Sequence, residues 1–157
     1  MRNRIQQMSI ALIALSFILT VTAGAEAPVR QAILLKVEGT AEVRIAQADW
    51  KPAEAGMILH ASDEIRTGKN STAEVLLDEG GSSGEFELKP ESRLQFNKMD
   101  GDAKTAHKVT VLNLAIGDVL VHAQKVTGDS VFQVKTPNST TGVRGTTFLV
   151  SAEPKNE

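Results

Sequence analysis

The 157-residue chain has no cysteine, no tyrosine and a single tryptophan, Trp50. Without cysteine there are no disulfides, thiolate metal sites or cysteine nucleophiles, so packing alone must hold the fold. With one Trp and five Phe, there is little aromatic surface to stack on bases or sugars. Positive charge is not in excess, with 17 Lys and Arg against 19 Asp and Glu. The absence of a basic stripe excludes the nucleic-acid binders. Long apolar runs are also scarce. The main one, Ile10 to Val21, is shorter than the ~20 residues a membrane-spanning helix needs. The three histidines, His60, His107 and His122, lack the i,i+2 or i,i+4 spacing of metal ligands. No cofactor, metal or catalytic residue is expected.

What the N-terminus does contain reads as an export signal over residues 1–25. Arg2 and Arg4 supply its positive end, the run Ile10 to Val21 its apolar helical middle, and Ala23-Gly24-Ala25 a small-x-small cleavage site. The alternative is an uncleaved anchor. Cleavage after Ala25 leaves residues 26–157 as one domain, with 15 basic residues (17 less Arg2 and Arg4) against 19 acidic ones. The expected location is the periplasm, with no stable membrane span after cleavage.

Beyond that segment the chain reads as short strands separated by turn residues. Ile33–Val37, Ala41–Ile45, Glu64–Arg66, Ser71–Leu77, Glu85–Lys89, Arg93–Lys98, Lys108–Leu114, Val119–His122, Val131–Lys135 and Thr146–Val150 are β-branched or alternate with period two. Residues 46–59 form a connection broken by Pro52 and Gly56, and residues 99–106 form a polar loop. Gly117-Asp118 and Gly128-Asp129 read as turns. The fold class is therefore all-β, with about ten short strands in a solenoid-like or rolled sheet, or alternatively a β-sandwich.

Several short motifs carry both a chemical and a structural reading. Gly80-Gly81-Ser82-Ser83-Gly84 matches the G-x-S-x-G of hydrolases, but no helix follows and no histidine is tied to Ser82, so it reads as a loop. Asp100-Gly101-Asp102 lacks the longer ligand series of a calcium loop. Asn70-Ser71-Thr72 and Asn138-Ser139-Thr140 match the glycosylation sequon, and their asparagines suit turns. Arg66-Thr67-Gly68 and Arg144-Gly145-Thr146 each set an arginine beside a glycine at a strand boundary. These arginines either fix strand register by pairing with an acid such as Asp63 or Glu74, or meet an anion or partner. Trp50, close to Pro52, reads as a lid over one end of the core, with a ligand-facing indole as the alternative.

Taken in order, these phrases resemble the FecR-type domain family, a bacterial periplasmic module. Gly39, Trp50, Pro52, Ala53, Gly56, Asp63, Ile65, Arg66, Thr67 and Gly68 form the first phrase. Ala73–Leu77, then Pro90-Glu91-Ser92-Arg93-Leu94, continue the pattern. Gly117, Thr136-Pro137 and Val143–Val150 close it. The resemblance spans residues 37–150. It implies a non-enzymatic interaction or signalling module of the envelope, with an unidentified envelope protein as partner and no nucleic acid. Trp50, Arg66, Thr67, Gly68, Thr136, Pro137, Arg144, Gly145 and Thr146 are the candidate structural or interaction residues. The alternatives are an envelope-glycan or small-ligand binding protein and, less favoured, a hydrolase acting through Ser82. Two departures stand out. The loop Asp78–Gly84 is longer than the family's turn, and an export signal stands where sigma-regulating members carry a cytoplasmic segment and a membrane span. The expectation is a stand-alone exported domain.

Overall fold

A computed structural model of the chain describes residues 29–101, 107–125 and 128–153. The export signal, its cleavage site and the larger part of the 99–106 loop lie outside these residues. Among the described residues there are twelve strands. They are β1 (Ala32–Glu38), β2 (Ala41–Arg44), β3 (Lys51–Pro52), β4 (Ile58–Leu59), β5 (Glu64–Thr67), β6 (Thr72–Leu77), β7 (Gly84–Leu88), β8 (Arg93–Asp100), β9 (Val109–Ala123), β10 (Val131–Lys135), β11 (Thr140–Val143) and β12 (Thr147–Ala152). Among the described residues the only helical element is one 3-10 turn, Glu79–Gly81, in the glycine-serine loop.

The fold is all-β, and the chain takes the rolled form: one sheet curled into a half-barrel. Hydrogen-bonded neighbours run β3-β2-β5-β8-β9-β7-β6-β1-β4, with β10 and β12 also on β9 and β11 on β10. Period-two alternation sets what faces inward. Ala73, Val75 and Leu77 of β6 are buried while Glu74 is exposed, and Phe86 and Leu88 of β7 are buried beside an exposed Glu85. Ile65 of β5 with Leu94 and Phe96 of β8 face them from the other half of the sheet. The Phe86 and Phe96 rings meet with centroids 5.9 Å apart. Each such fully buried side chain contributes roughly 1.5–3 kcal/mol, and the buried apolar residues form one continuous core.

β9 corrects the expected pair of strands around a Gly117-Asp118 turn. It is a single strand of 15 residues that bends without breaking. Residues up to Ile116 pair with β8 and β10, and residues from Gly117 pair with β7 and β12. Gly117 takes φ +86, and an added Cβ would lie 2.1 Å from Ser92 Oγ. Ser92 Oγ accepts the Asp118 N–H at 2.8 Å, so its hydroxyl serves the backbone at the bend. Glycine permits that conformation and that approach, which is why the chain folds over instead of turning back. The count of ten strands was low for local reasons. β3 and β4 are two-residue strands inside the 46–59 connection. β11 is a threonine-glycine segment that becomes a strand only by pairing with β10. β8 also runs on to Asp100, into the residues expected to form the loop.

Candidate interaction sites

Three outward-facing arginines gather around the one tryptophan. Arg44, Arg66 and Arg93 alternate along β2, β5 and β8 with the core residues Val43, Ile65 and Leu94, so they share the outer face. Their guanidinium carbons lie 5.1, 4.2 and 5.6 Å from the Trp50 ring centroid. Each is within reach of the ring's negative face. Trp50 is therefore no lid on the core. It is half-buried on the outer surface and stacked among cations.

Two glutamates offset part of this charge. Glu64, 6% exposed, pairs with Arg44 and accepts from Arg93 at 2.7 and 3.0 Å. Burial alone would raise its carboxyl pKa, but the hydrogen bonds and charges of Arg44 and Arg93 outweigh it and hold the group below its ordinary value. Glu42 accepts from Arg66 at 2.6 and 2.7 Å in an exposed pair. The expected pairing of Arg66 with Asp63 or Glu74 is thus corrected: alternation turns Arg66 away from Asp63 and toward Glu42, its cross-strand neighbour. Buried Asp63 instead accepts the backbone N–H groups of Ala46 and His60, at 2.9 and 2.8 Å.

The neighbouring motif residues hold backbone together. Thr67 Oγ1 donates to the Lys89 carbonyl at 2.6 Å and accepts the Ser92 N–H at 3.1 Å. The Gly68 N–H donates to the Thr40 carbonyl at 2.8 Å. These bonds tie the β5 end to the segment leading into β8.

The second group of candidate residues lies in the turns that join β10 to β11 and β11 to β12. Thr136 and Pro137 belong to the turn joining β10 to β11, where Thr136 Oγ1 accepts the Ser139 N–H at 3.0 Å. Arg144, Gly145 and Thr146 join β11 to β12. Gly145 takes φ +73, and an added Cβ would sit 2.6 Å from the Lys125 Cα, so the close approach requires glycine. The Thr146 carbonyl accepts the Ala123 N–H at 3.1 Å. Arg144 is exposed at the rim of a groove of about 400 Å³ between β11 and β12, lined also by Val143, Phe148, Leu149 and Val150. Among the described residues β11 pairs only with β10 and β12 only with β9, so each keeps one open edge toward this groove. The two groups of candidates are therefore separate places: Trp50 with Arg66, and the 136–146 rim.

One structural arrangement escaped sequence reasoning. Arg30, 1% exposed, donates to both Asp78 carboxylate oxygens at 2.8 and 3.0 Å and to the Asp100 and Val109 carbonyls at 2.9 and 3.0 Å. It also donates to Thr110 Oγ1 at 2.8 Å and Ser83 Oγ at 3.1 Å. It joins the end of β6 to the end of β8 and the start of β9, and so closes one end of the roll. Burial would raise the Asp78 pKa, but hydrogen bonds from Arg30 and Ser83, the Arg30 charge and a bond from Lys108 hold it below the ordinary aspartate value. Lys108 Nζ also donates to Ser82 Oγ at 2.8 Å. The side chain against Ser82 is thus a donor shared with Asp78, not a base aimed at a nucleophile. Among the described residues no group of His, Cys, Asp and Glu is arranged to hold a metal ion, and no helix is long and apolar enough to cross a membrane.

The family described as FecR protein matches residues 63–156, more than half of the chain. The chain belongs to the FecR family. The match takes in Arg66, Arg93, Ser92, Gly117 and the 136–146 rim, whereas Glu42, Arg44 and Trp50 precede it. No curated protein and no solved structure matches the chain. In this FecR-family domain Asp63, Thr67, Gly68, Ser92 and Gly117 thus serve the backbone, while Arg66 and Arg144 present charge outward.

Proposed function

We propose that this FecR-family chain is an exported periplasmic module that binds an envelope protein and performs no bond-breaking chemistry, serving signalling or regulation at the cell envelope. The observation that carries the reading is the pair of open strand edges on β11 and β12. They frame a groove of about 400 Å³ whose wall residue Leu149 is 58% exposed. An open edge offers unpaired N–H and C=O groups to an added strand, and alternating side-chain positions supply specificity. The composition of the first 25 residues supports export, and the family supports an envelope role.

Two measurements test it. A photo-crosslinking residue placed at Leu149 in living cells should yield one discrete adduct, absent when the same residue replaces exposed Glu54. No adduct from Leu149, or the same adducts from both positions, would remove the proposed edge. The N-terminus of the protein released by osmotic shock should be Glu26. An intact N-terminus in the cytoplasmic fraction would overturn the assigned location.

A further inference from the structure

We propose that the Trp50 face is a second docking surface, separate from the β11–β12 edge, that receives an acidic segment of a partner protein. Arg66 lies directly opposite Glu42 on one side and Arg93 on the other. Two arginines directly opposite each other repel unless countercharge sits between or beside them. Three arginines and two glutamates leave the cluster with one uncompensated positive charge. An anion arriving at Arg66 and Arg93 answers that charge.

The two glutamates are held unequally. The Glu64 side chain is 7% exposed and gripped by two arginines, so it is part of the fixed scaffold. Glu42 and Arg66 are each 42% exposed and share a single ion pair in solvent. Such a pair is weak and readily exchanged. Glu42 therefore stands in for the ligand: an incoming carboxylate displaces it from Arg66 and meets the Arg93 side chain, 45% exposed, on the next strand. Guanidinium forks match carboxylates in geometry as well as charge.

The surroundings favour a peptide over a bare ion or a bilayer. From Glu64 a polar row crosses the sheet through Gln95 and Asn113 to Lys135, each opposite the next. Amide side chains in line offer hydrogen bonds to an extended backbone, and Lys135 provides a further cation. The one uncompensated charge and Lys135 together are too little for an anionic membrane surface, which needs several clustered cations.

Trp50 is the only tryptophan and there is no tyrosine, so intrinsic emission reports this site alone. The purified chain is titrated with hexaglutamate, with hexaglutamine and with phosphatidylglycerol vesicles at low salt. The proposal expects a saturable change in Trp50 emission with hexaglutamate only, weakening as salt rises. Arg66→Gln should lower the affinity about two- to fivefold, as loss of one exposed ion pair requires, and Glu42→Gln should raise it. Circular dichroism and thermal melting establish that both variants are folded; if Arg66→Gln is not, the rise with Glu42→Gln decides the matter. An equal response to hexaglutamine, a response to vesicles alone, no saturable response, or unchanged affinity in Glu42→Gln would each overturn the proposal. Crosslinking from Leu149 is a separate readout, so failure here leaves the edge reading standing.

Discussion

Arginine appears in two settings in this molecule, and the contrast separates scaffold from surface. Arg30 is 1% exposed, and its five N–H donors are distributed over Asp78, Ser83, Thr110 and two carbonyls. Arg66 is 42% exposed, lies against one aromatic ring and holds one exposed carboxylate. A guanidinium with every donor engaged and no water nearby cannot take up a ligand; its energy is committed to geometry. One with solvent-facing donors and a replaceable partner can. The identity of the residue says nothing about which role it plays. Burial and saturation decide.

The sharpest way to break the comparison is to remove the buried arginine. We predict that Arg30→Ala destabilises the domain by about 3–5 kcal/mol, because Asp78 is left charged and buried without its main partner. Urea unfolding followed by circular dichroism measures this; a loss below ~1 kcal/mol would mean that water solvates Asp78 in the native state. Acid adds a second reading of the same pair. The folded Asp78 pKa lies below the ordinary 3.8 and that of Glu64 below 4.5. Each carboxylate therefore contributes stability above its ordinary value, and that contribution is lost as pH falls from there toward the folded value. In Arg30→Ala only Lys108 and Ser83 still donate to the buried Asp78, so its charged form is less favoured and acid relieves part of the penalty. Wild type and variant should converge as pH drops below about 4, and a constant gap would contradict the assignment.

The next effect in size concerns backbone. Gly117→Ala places a Cβ 2.1 Å from Ser92 Oγ and 2.6 Å from the Ser92 Cα, at φ +86. The left-handed conformation alone costs roughly 1–2 kcal/mol, and Ser92 must also withdraw from the bend. We predict a loss of about 2–3 kcal/mol in unfolding free energy. Ser92→Ala in the same background should not recover it, because the Ser92 Cα and Cβ, each 2.6 Å from the added Cβ, remain and the Asp118 N–H loses its acceptor. Full recovery would show that the hydroxyl contact alone sets the cost.

How far these roles were legible varied with how local they are. Alternation along β6, β7 and β10 marked inward and outward residues directly, because period two is written into consecutive positions. The phrases containing Thr67, Gly68, Ser92 and Gly117 stood out as motifs, but their meaning was architectural, since each satisfies backbone groups at a bend. Arg30 gave no signal: its partner Asp78 is 48 residues away, and nothing in a strand-and-turn pattern foretells that closure. The Trp50 cluster was half visible. Trp50 and Arg66 were both singled out, but Arg44 and Arg93 join them only through the registers of β2 with β5 and β5 with β8. Register is fixed by where a bend falls and how a bulge slips, and those are tertiary choices.

The smallest predicted effect is the one that gives the exterior arginine its meaning. Arg66→Gln and Glu42→Gln each break a pair whose two side chains are 42% exposed. Exposed pairs contribute about 0–1 kcal/mol, so neither variant should shift the unfolding midpoint appreciably at moderate salt. The double variant should differ from the sum of the singles by less than ~0.5 kcal/mol. Trp50 emission should nonetheless move in Arg66→Gln, because the nearest cation over the ring, at 4.2 Å, is gone. A marked loss of stability in either single variant would place Arg66 with Arg30 among the saturated, structural arginines, and the distinction between a closed interior clamp and an open surface cluster would fail at the residue on which it rests.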